Sequence, residues 1–520
     1  MSRRILSATQ AMFMLPMIAL AVPAVGAPKC SALTRFTLPG HEVVIQQARE
    51  IPAGPMPANP GAPPAPPQVL PAHCRVDGVI DARQGRDGKA YGIGFAVALP
   101  AQWNGRFLFQ GGGGLNGSVA PPVGGQYAGE KSALDRGFAV ATTDSGHQGA
   151  GFDASFFADQ EAALDFLYQA VAEVTVVAKA IVARHYGKGS AQNYFVGCST
   201  GGREAMMMSQ RFPRYFDGIV SVAPAIRTSF SNLGLRHAAT ALNAIAPRDA
   251  AGVPQTRQAL SDADRGLVIE GLLKSCDGLD GNEDGLIFAP HACRFDPGTL
   301  ECSGEKSARC LSGAQVAAVR AVMSGPRTTA GIQVYPGYFY DTGIANTRGL
   351  AGILAAPFIP EGPAVSTQMN VDVAASEAMS ARAMVGDTGA WTNLSSFHGH
   401  GGKLIFAHGV SDPWFSARDT VEYYERLGRD NGEATLRDWS RLFLVPGMVH
   451  CGGGERTADR FDLLTSLVDW VEKSAAPERV VATGASLPGE SRPLCAYPEY
   501  AHYTGSGDAR EAASYRCRAP

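Results

Sequence analysis

The sequence predicts an α/β fold, a mostly parallel sheet with crossover helices that carries one large insertion. Three observations predict it. Short apolar strands alternate with helical stretches between residues 91 and 222. The alternation breaks at about Ala225 and resumes at Lys403. Two of the strands run straight into glycine-rich turns.

The elements follow in order. Residues 91–99 (YGIGFAVAL) alternate and read as a strand. Arg106–Gln110 is a second strand, leading into Gly111-Gly112-Gly113-Gly114. Residues 137–143 form a buried strand ending at Asp144, and residues 162–186 have helical period and length. Residues 193–196 (NYFV) are a strand followed by Gly197-Cys198-Ser199-Thr200-Gly201-Gly202, after which a helix runs to about Phe212. Gly218–Val222 is the next strand. Beyond the insertion come strands at 403–406 and 441–445 and a helix at 460–473. Residues 28–75 show little pattern, and 51–71 read as an extended proline-rich surface loop. The organisation expected is a signal peptide over 1–27, a catalytic core built from 28–224 and 398–520, and a lid over 225–397.

Composition narrows the function. With 45% apolar and 18% charged residues the chain is globular, not disordered. Its 45 basic against 48 acidic side chains exclude nucleic-acid binding by bulk charge. Arg3 and Arg4, the short apolar stretch 12–22 and the small residues Val25-Gly26-Ala27 read as a secretory signal. That stretch is shorter than the roughly 20 residues a membrane span needs. Ten cysteines, an even number in an exported chain with no C-x-x-C pair, point to disulfides over zinc.

Gly197-Cys198-Ser199-Thr200-Gly201 fits G-x-S-x-G between a strand and a helix, the setting of a nucleophile elbow in an α/β-hydrolase core. A serine hydroxyl needs a base, and the base needs an orienting acid. Hydrolases of this type order them Ser, Asp, His along the chain. Asp412 follows one strand and His450 follows the last, so Ser199, Asp412 and His450 share one rim of the sheet. His147, His398, His400 and His408 are competitors. His408 stands only four residues before Asp412, which makes it a poor last member. The oxyanion site needs two amides. Thr200 supplies one, and Gly114, in the glycine run, is expected to supply the other. Cys198 precedes Ser199 and Cys451 follows His450, so a bond between them would tie the nucleophile loop to the base loop. In the insertion, Asp277, Asp280 and Asp284 alternate with glycines between Cys276 and Cys293. With carbonyls from Asn282 and Leu286, this loop offers the oxygen donors that Ca²⁺ takes, as a structural ion.

These stretches resemble the tannase and feruloyl esterase family of α/β-hydrolases. Residues 197–204 (GCSTGGRE), Ser411-Asp412 and residues 446–451 (PGMVHC) carry the resemblance over nearly all of the mature chain. It implies Ser199 as nucleophile, His450 as general base and acid, Asp412 as its orienter, and the calcium ligands just given. It implies the disulfides Cys30–Cys74, Cys198–Cys451, Cys276–Cys293, Cys302–Cys310 and Cys495–Cys517. It places Phe415 in the substrate pocket. Within the family the chain is similar to bacterial terephthalate-monoester hydrolases, through residues 103–107 (WNGRF), 209–213 (SQRFP), 419–428 (DTVEYYERLG) and 505–508 (GSGD). One difference matters. Those enzymes hold the substrate carboxylate with a lid arginine, whereas no arginine lies between Arg348 and Arg382 here, and Val365 falls about at that place. The expected activity is that of a secreted serine carboxylesterase on small aromatic-acid esters of feruloyl or galloyl type. The terephthalate monoester is the alternative substrate. A calcium-dependent binding protein on a hydrolase scaffold is the alternative of another class.

Overall fold

The computed structural model describes residues 29–56, 69–345 and 365–520. The expected signal segment, most of the proline-rich loop and Arg348 lie outside the described residues.

Nine strands form one sheet. They are β1 (Val43–Ile51), β2 (His73–Gln84), β3 (Ala90–Pro100), β4 (Arg106–Gln110), β5 (Ala139–Thr143), β6 (Gln192–Cys198), β7 (Gly218–Val222), β8 (Lys403–Gly409) and β9 (Ser440–Val445). Their spatial order is β1-β2-β3-β5-β4-β6-β7-β8-β9. From β5 to β9 every pairing is parallel, while β1, β2 and β3 are joined antiparallel at one side. The parallel strands β5 and β7 are buried at every residue, as strands covered on both faces by helices must be. This is the α/β architecture expected from the alternation.

The N-terminal strands correct the reading of residues 28–75 as patternless. β1 lies at the sheet edge, half exposed, with Gln46, Gln47, Arg49 and Glu50 among its residues and a register shift between Ile45 and Gln47. Edge exposure and a bulge remove the alternation by which a strand is recognised. Cys30–Cys74 pins the segment before β1 to the start of β2.

Helix α1 (Gln160–Tyr186) is long and apolar enough to cross a membrane, but 56% of its apolar window is packed inside the fold. It is a core helix, lying against the sheet through Val174, Val177, Ala178 and Ile181. Helix α2 (Thr200–Arg211) follows β6, and its first ten residues are all buried. Between β7 and β8 come α3 (Thr228–Asn243), α4 (Asp262–Cys276), α5 (Gly313–Ser324) and α6 (Val371–Ala378). They share apolar clusters of their own, one built on Leu235, Leu242, Val319 and Val322. Helix α7 (Ala417–Asn431) follows β8, and α8 (Leu463–Lys473) packs on the opposite face. Two C-terminal hairpins close the chain, β10 (Arg479–Gly484) with β11 (Leu487–Cys495) and β12 (Tyr500–Tyr503) with β13 (Tyr515–Arg518). Cys495–Cys517 ties them together.

Five disulfides are present, pairing as the family resemblance implies, and the chain holds no free cysteine among the described residues. Such a set belongs to an oxidising compartment.

Under the nucleophile turn, Phe195 of β6 is fully buried between the parallel ring of Phe109 at 5.3 Å and the edge of Phe216 at 5.5 Å. Phe195→Ala is expected to destabilise the fold by about 3–5 kcal/mol through the cavity it leaves. The midpoint of urea unfolding measures this.

Candidate active site

The site begins with a steric condition. β6 must turn into α2 within one residue, and Ser199 does so at φ 64° and ψ −121°, a strained conformation for a side chain other than glycine. Glycines permit the close packing around it. A Cβ at Gly197 would lie 2.5 Å from the carbonyl oxygen of Gly201, and one at Gly201 would lie 2.7 Å from that of Gly112. The Ser199 amide donates to Val222 at 3.0 Å, and its carbonyl accepts from Arg203 at 3.0 Å and Ala225 at 3.2 Å.

Asp412 and His450 meet at the same rim. Asp412 Oδ2 is 2.7 Å from His450 Nδ1. Its Oδ1 accepts from the amides of Trp414 at 2.9 Å and Phe415 at 3.2 Å. His408 also reaches Oδ2, at 3.3 Å through Nε2. Burial alone pushes the Asp412 carboxyl up, but His450 and His408 outweigh it and hold the group well below the usual carboxylate range. Asp412 is therefore an anion throughout the neutral range. The other candidates stand apart from this pair. His147 stacks on Phe156, His398 stacks on Trp439, and His400 is exposed.

The loop bearing His450 is held at several points. Cys198–Cys451 joins the residues beside Ser199 and His450, with Cα atoms 6.0 Å apart. The Tyr127 hydroxyl donates to the Cys451 carbonyl at 3.0 Å. Asp341, from the segment between β7 and β8, is fully buried and accepts from Ser411 Oγ at 2.6 Å and from the Gly447 amide at 2.7 Å. One carboxylate thus spans the loop of Asp412 and the loop of His450. Sequence reading had no signal for it, since Asp341 stands in no motif and distant in sequence from both loops. His450 Nε2 has no hydrogen-bond partner among the described residues. The Ser199–His450 bond is thus open in this structure, as serine–base bonds often are without substrate.

The glycine loop lies opposite. The amides of Gly111, Gly112, Leu115, Asn116 and Gly117 are each engaged within the protein. Those of Gly113, Gly114 and Thr200 take no partner among the described residues. Gly114 and Thr200 both line the cavity that Ser199 opens into.

That cavity holds about 590 Å³. Its apolar lining includes Leu115, Phe152, Phe157, Phe166, Trp414 and Phe415. Phe415, expected in the pocket, lies edge-on to His450 at 5.3 Å, and Trp414 tilts over the same ring at 4.7 Å. Its polar lining includes Thr228, Ser229, Asn232 and Asp387. Two arginines reach the lining. Arg203 donates to the carbonyls of Leu167 at 2.6 Å and Phe166 at 3.0 Å, and Arg227 is paired with the buried Asp419. Val365 is an exposed surface residue.

In the acidic loop of the insertion the carboxylates are engaged with backbone and side-chain donors. Asp277 accepts from the Gly285 amide at 3.0 Å, and Asp280 from Phe288 at 2.9 Å and Asn282 at 3.2 Å. Asp284 pairs with Arg492 at 2.6 Å and accepts from the Asn282 side-chain amide at 2.9 Å. Leu286 donates its amide to Asp284 at 3.1 Å. Burial pushes Asp280 up to about 7 and raises Asp277. As placed, no three acidic or histidine side chains converge on a common point among the described residues. The donor chemistry, two buried carboxylates that make no ion pair among the described residues, suits a hard cation.

The model of the tannase and feruloyl esterase family matches residues 74–390 and 364–518. A mono(2-hydroxyethyl) terephthalate hydrolase of Piscinibacter sakaiensis is 38% identical over 96% of this chain and 93% of its own. A probable feruloyl esterase B-1 of Aspergillus fumigatus is 31% identical over 81% of each chain. The crystal structure of feruloyl esterase B from Aspergillus oryzae superposes with a TM-score of 0.75 at 26% identity, over 94% of this chain and 99% of that one.

Replacing Cys198 and Cys451 together by serine releases the base loop from the nucleophile loop. A displacement of 1 Å at reacting groups is enough for about a 10²-fold loss. We expect kcat on a chromogenic ester to fall by up to that factor with KM little changed, in steady-state assays on folded protein.

Proposed function

The chain belongs to the tannase and feruloyl esterase family and is a carboxylic ester hydrolase, and on that premise we propose that it cleaves esters of phenolic aromatic acids through an acyl-enzyme on Ser199. The observation that carries this reading is the Asp412–His450 pair, tethered by Cys198–Cys451 to the residue before Ser199, which itself lines a cavity with aromatic side chains.

In this mechanism Asp412 holds Nδ1–H of His450, which leaves Nε2 to accept the Ser199 proton as Oγ attacks the ester carbonyl. The carbonyl oxygen becomes an oxyanion, received by the amides of Gly114 and Thr200. His450 then protonates the departing alcohol. It next takes a proton from water, whose oxygen attacks the acyl-enzyme, and the aromatic acid leaves as Ser199 regains its proton.

The apolar lining residues Leu115, Phe157, Phe166 and Phe415 suit an aromatic acyl ring, and Thr228, Ser229, Asn232 and Asp387 offer partners for its hydroxyls. Of the two arginines that line the cavity among the described residues, Arg203 is engaged by the carbonyls of Leu167 and Phe166 and Arg227 is paired with Asp419, which disfavours bidentate capture of a substrate carboxylate. The similarity to the terephthalate monoester hydrolase supports that ester as the second reading. We also propose that Asp277, Asp280 and Asp284, with the Asn282 and Leu286 carbonyls, bind a structural Ca²⁺, and that the chain is exported.

Two measurements test these proposals. On methyl ferulate, methyl gallate and mono(2-hydroxyethyl) terephthalate, kcat/KM is expected to favour a phenolic ester by at least about tenfold, or 1.4 kcal/mol in the transition state, with Ser199→Ala inactive on all three. Preference for the terephthalate ester selects the second reading. Chelation is expected to lower the melting temperature, and Ca²⁺ at about a hundredfold excess over its Kd to restore about 2.7 kcal/mol. A melting temperature indifferent to chelator and calcium would rule out the ion.

A further inference from the structure

We propose that Glu204 is a positioning residue of the oxyanion site, its carboxylate fixing the glycine loop against helix α2 so that the Gly114 amide points at the reacting carbonyl. The inference rests on the mechanism proposed above and adds a residue to it. Glu204 is 2% exposed on α2, five residues after Ser199. Its Oε2 accepts from the Gly112 amide at 2.9 Å. Its Oε1 accepts from Asn116 Nδ2 at 3.2 Å and Ser145 Oγ at 3.3 Å. No ion pair within 4 Å accompanies it among the described residues. A buried carboxylate is expensive to desolvate, and here neutral donors from two loops and the charge of the adjacent Arg203 stabilise it.

Those two loops need an anchor. Gly114, Asn116 and Gly117 have φ of 58°, 49° and 80°, and the facing turn has Ser145 at 68° and Gly146 at 94°. Asparagine and serine in this region carry strain that persists only where the surroundings enforce it. The peptide planes on either side of Gly112 are both gripped from α2. Its amide is held by Glu204, and its carbonyl accepts from the Gly201 amide at 3.1 Å. Further along, the Gly114 carbonyl accepts from Thr200 Oγ1. The peptide joining Gly113 to Gly114 lies between these fixed planes, its carbonyl accepting from the Asn116 amide at 3.0 Å and its amide left for the cavity. Helix α2 thereby carries the nucleophile turn, one oxyanion amide and the brace for the other.

The network also predicts which substitution restores it. Asn116 Oδ1 is buried without a hydrogen-bond partner. In Glu204→Gln, the new Oε1 can keep the Gly112 amide, and a flip of the Asn116 side chain brings Oδ1 to the new amide group. Glu204→Ala takes the acceptor from the Gly112 amide and the Ser145 hydroxyl, and leaves Asn116 Nδ2 with Ser145 Oγ alone. Glu204→Asp keeps the charge and falls one methylene short.

The test is steady-state kinetics on a chromogenic phenolic ester, with the affinity of phenylboronic acid, which forms a tetrahedral adduct on a catalytic serine, and a thermal melt of each variant. We expect kcat of Glu204→Ala and Glu204→Asp to fall by about 10²–10³, the range for losing an oxyanion donor. KM should stay within about threefold and boronate affinity should fall with kcat. Glu204→Gln should remain within about tenfold of the parent. Either short variant suffices if the other does not fold. The inference is overturned if a folded short variant keeps kcat within threefold, if kcat falls while boronate affinity does not, or if Glu204→Gln is as damaged as Glu204→Ala. If Ser199→Ala itself keeps turnover, the underlying mechanism fails; if only the Glu204 pattern is absent, this inference alone fails.

Discussion

The geometry of the site depends on a bond across the sheet edge. β6, which delivers Ser199, and β9, which leads to His450, are separated by β7 and β8. At about 4.8 Å per strand that is roughly 14 Å between their ends. Cys198–Cys451 closes this gap to 6.0 Å between Cα atoms. The segment after β9 must therefore run back over the ends of two strands, and its backbone shows how. Gly447, Cys451, Gly452, Gly453 and Gly454 all have positive φ. The returning loop is buttressed by Tyr127 from one side and Asp341 from the other.

Buried carboxylates do much of the remaining positioning. Asp412 orients His450, Asp341 joins the acid loop to the base loop, and Glu204 braces the glycine loop. Each sits among backbone amides and neutral donors, or beside a histidine, and not in an exposed ion pair. Such groups hold their partners in one arrangement because any other leaves a buried charge unsatisfied. Asp341 also couples the segment between β7 and β8 to the catalytic loops, so the wall of the pocket and the base are not mechanically independent.

The parallel strands were legible because burial on both faces makes them continuous apolar runs ending in turns, as in residues 137–143 and 218–222. Ser199, Asp412 and His450 were legible because strand ends and chain order restrict where each can stand. The antiparallel side was not, because β1 is an edge strand whose polar residues and bulge erase the period. Asp341 was invisible for another reason. Its partners lie 70 and 106 residues away, and nothing local distinguishes it. Glu204 stood inside a motif read for its serine and glycines. A glutamate on a helix face is ordinarily solvated, and only the close approach of the glycine loop makes it a brace. The polar lining residues Thr228, Ser229, Asn232 and Asp387 come from the insertion, where no strand-to-helix alternation guides the reading.

The central claim is that Ser199 is a nucleophile activated by His450. Labelling by a fluorophosphonate tests it most directly, followed by intact mass and mapped to a peptide. The account predicts one adduct per chain, on the peptide containing Ser199, forming at least about 10²-fold more slowly in His450→Ala. An adduct on another residue, or an unchanged rate in folded His450→Ala protein, would contradict it.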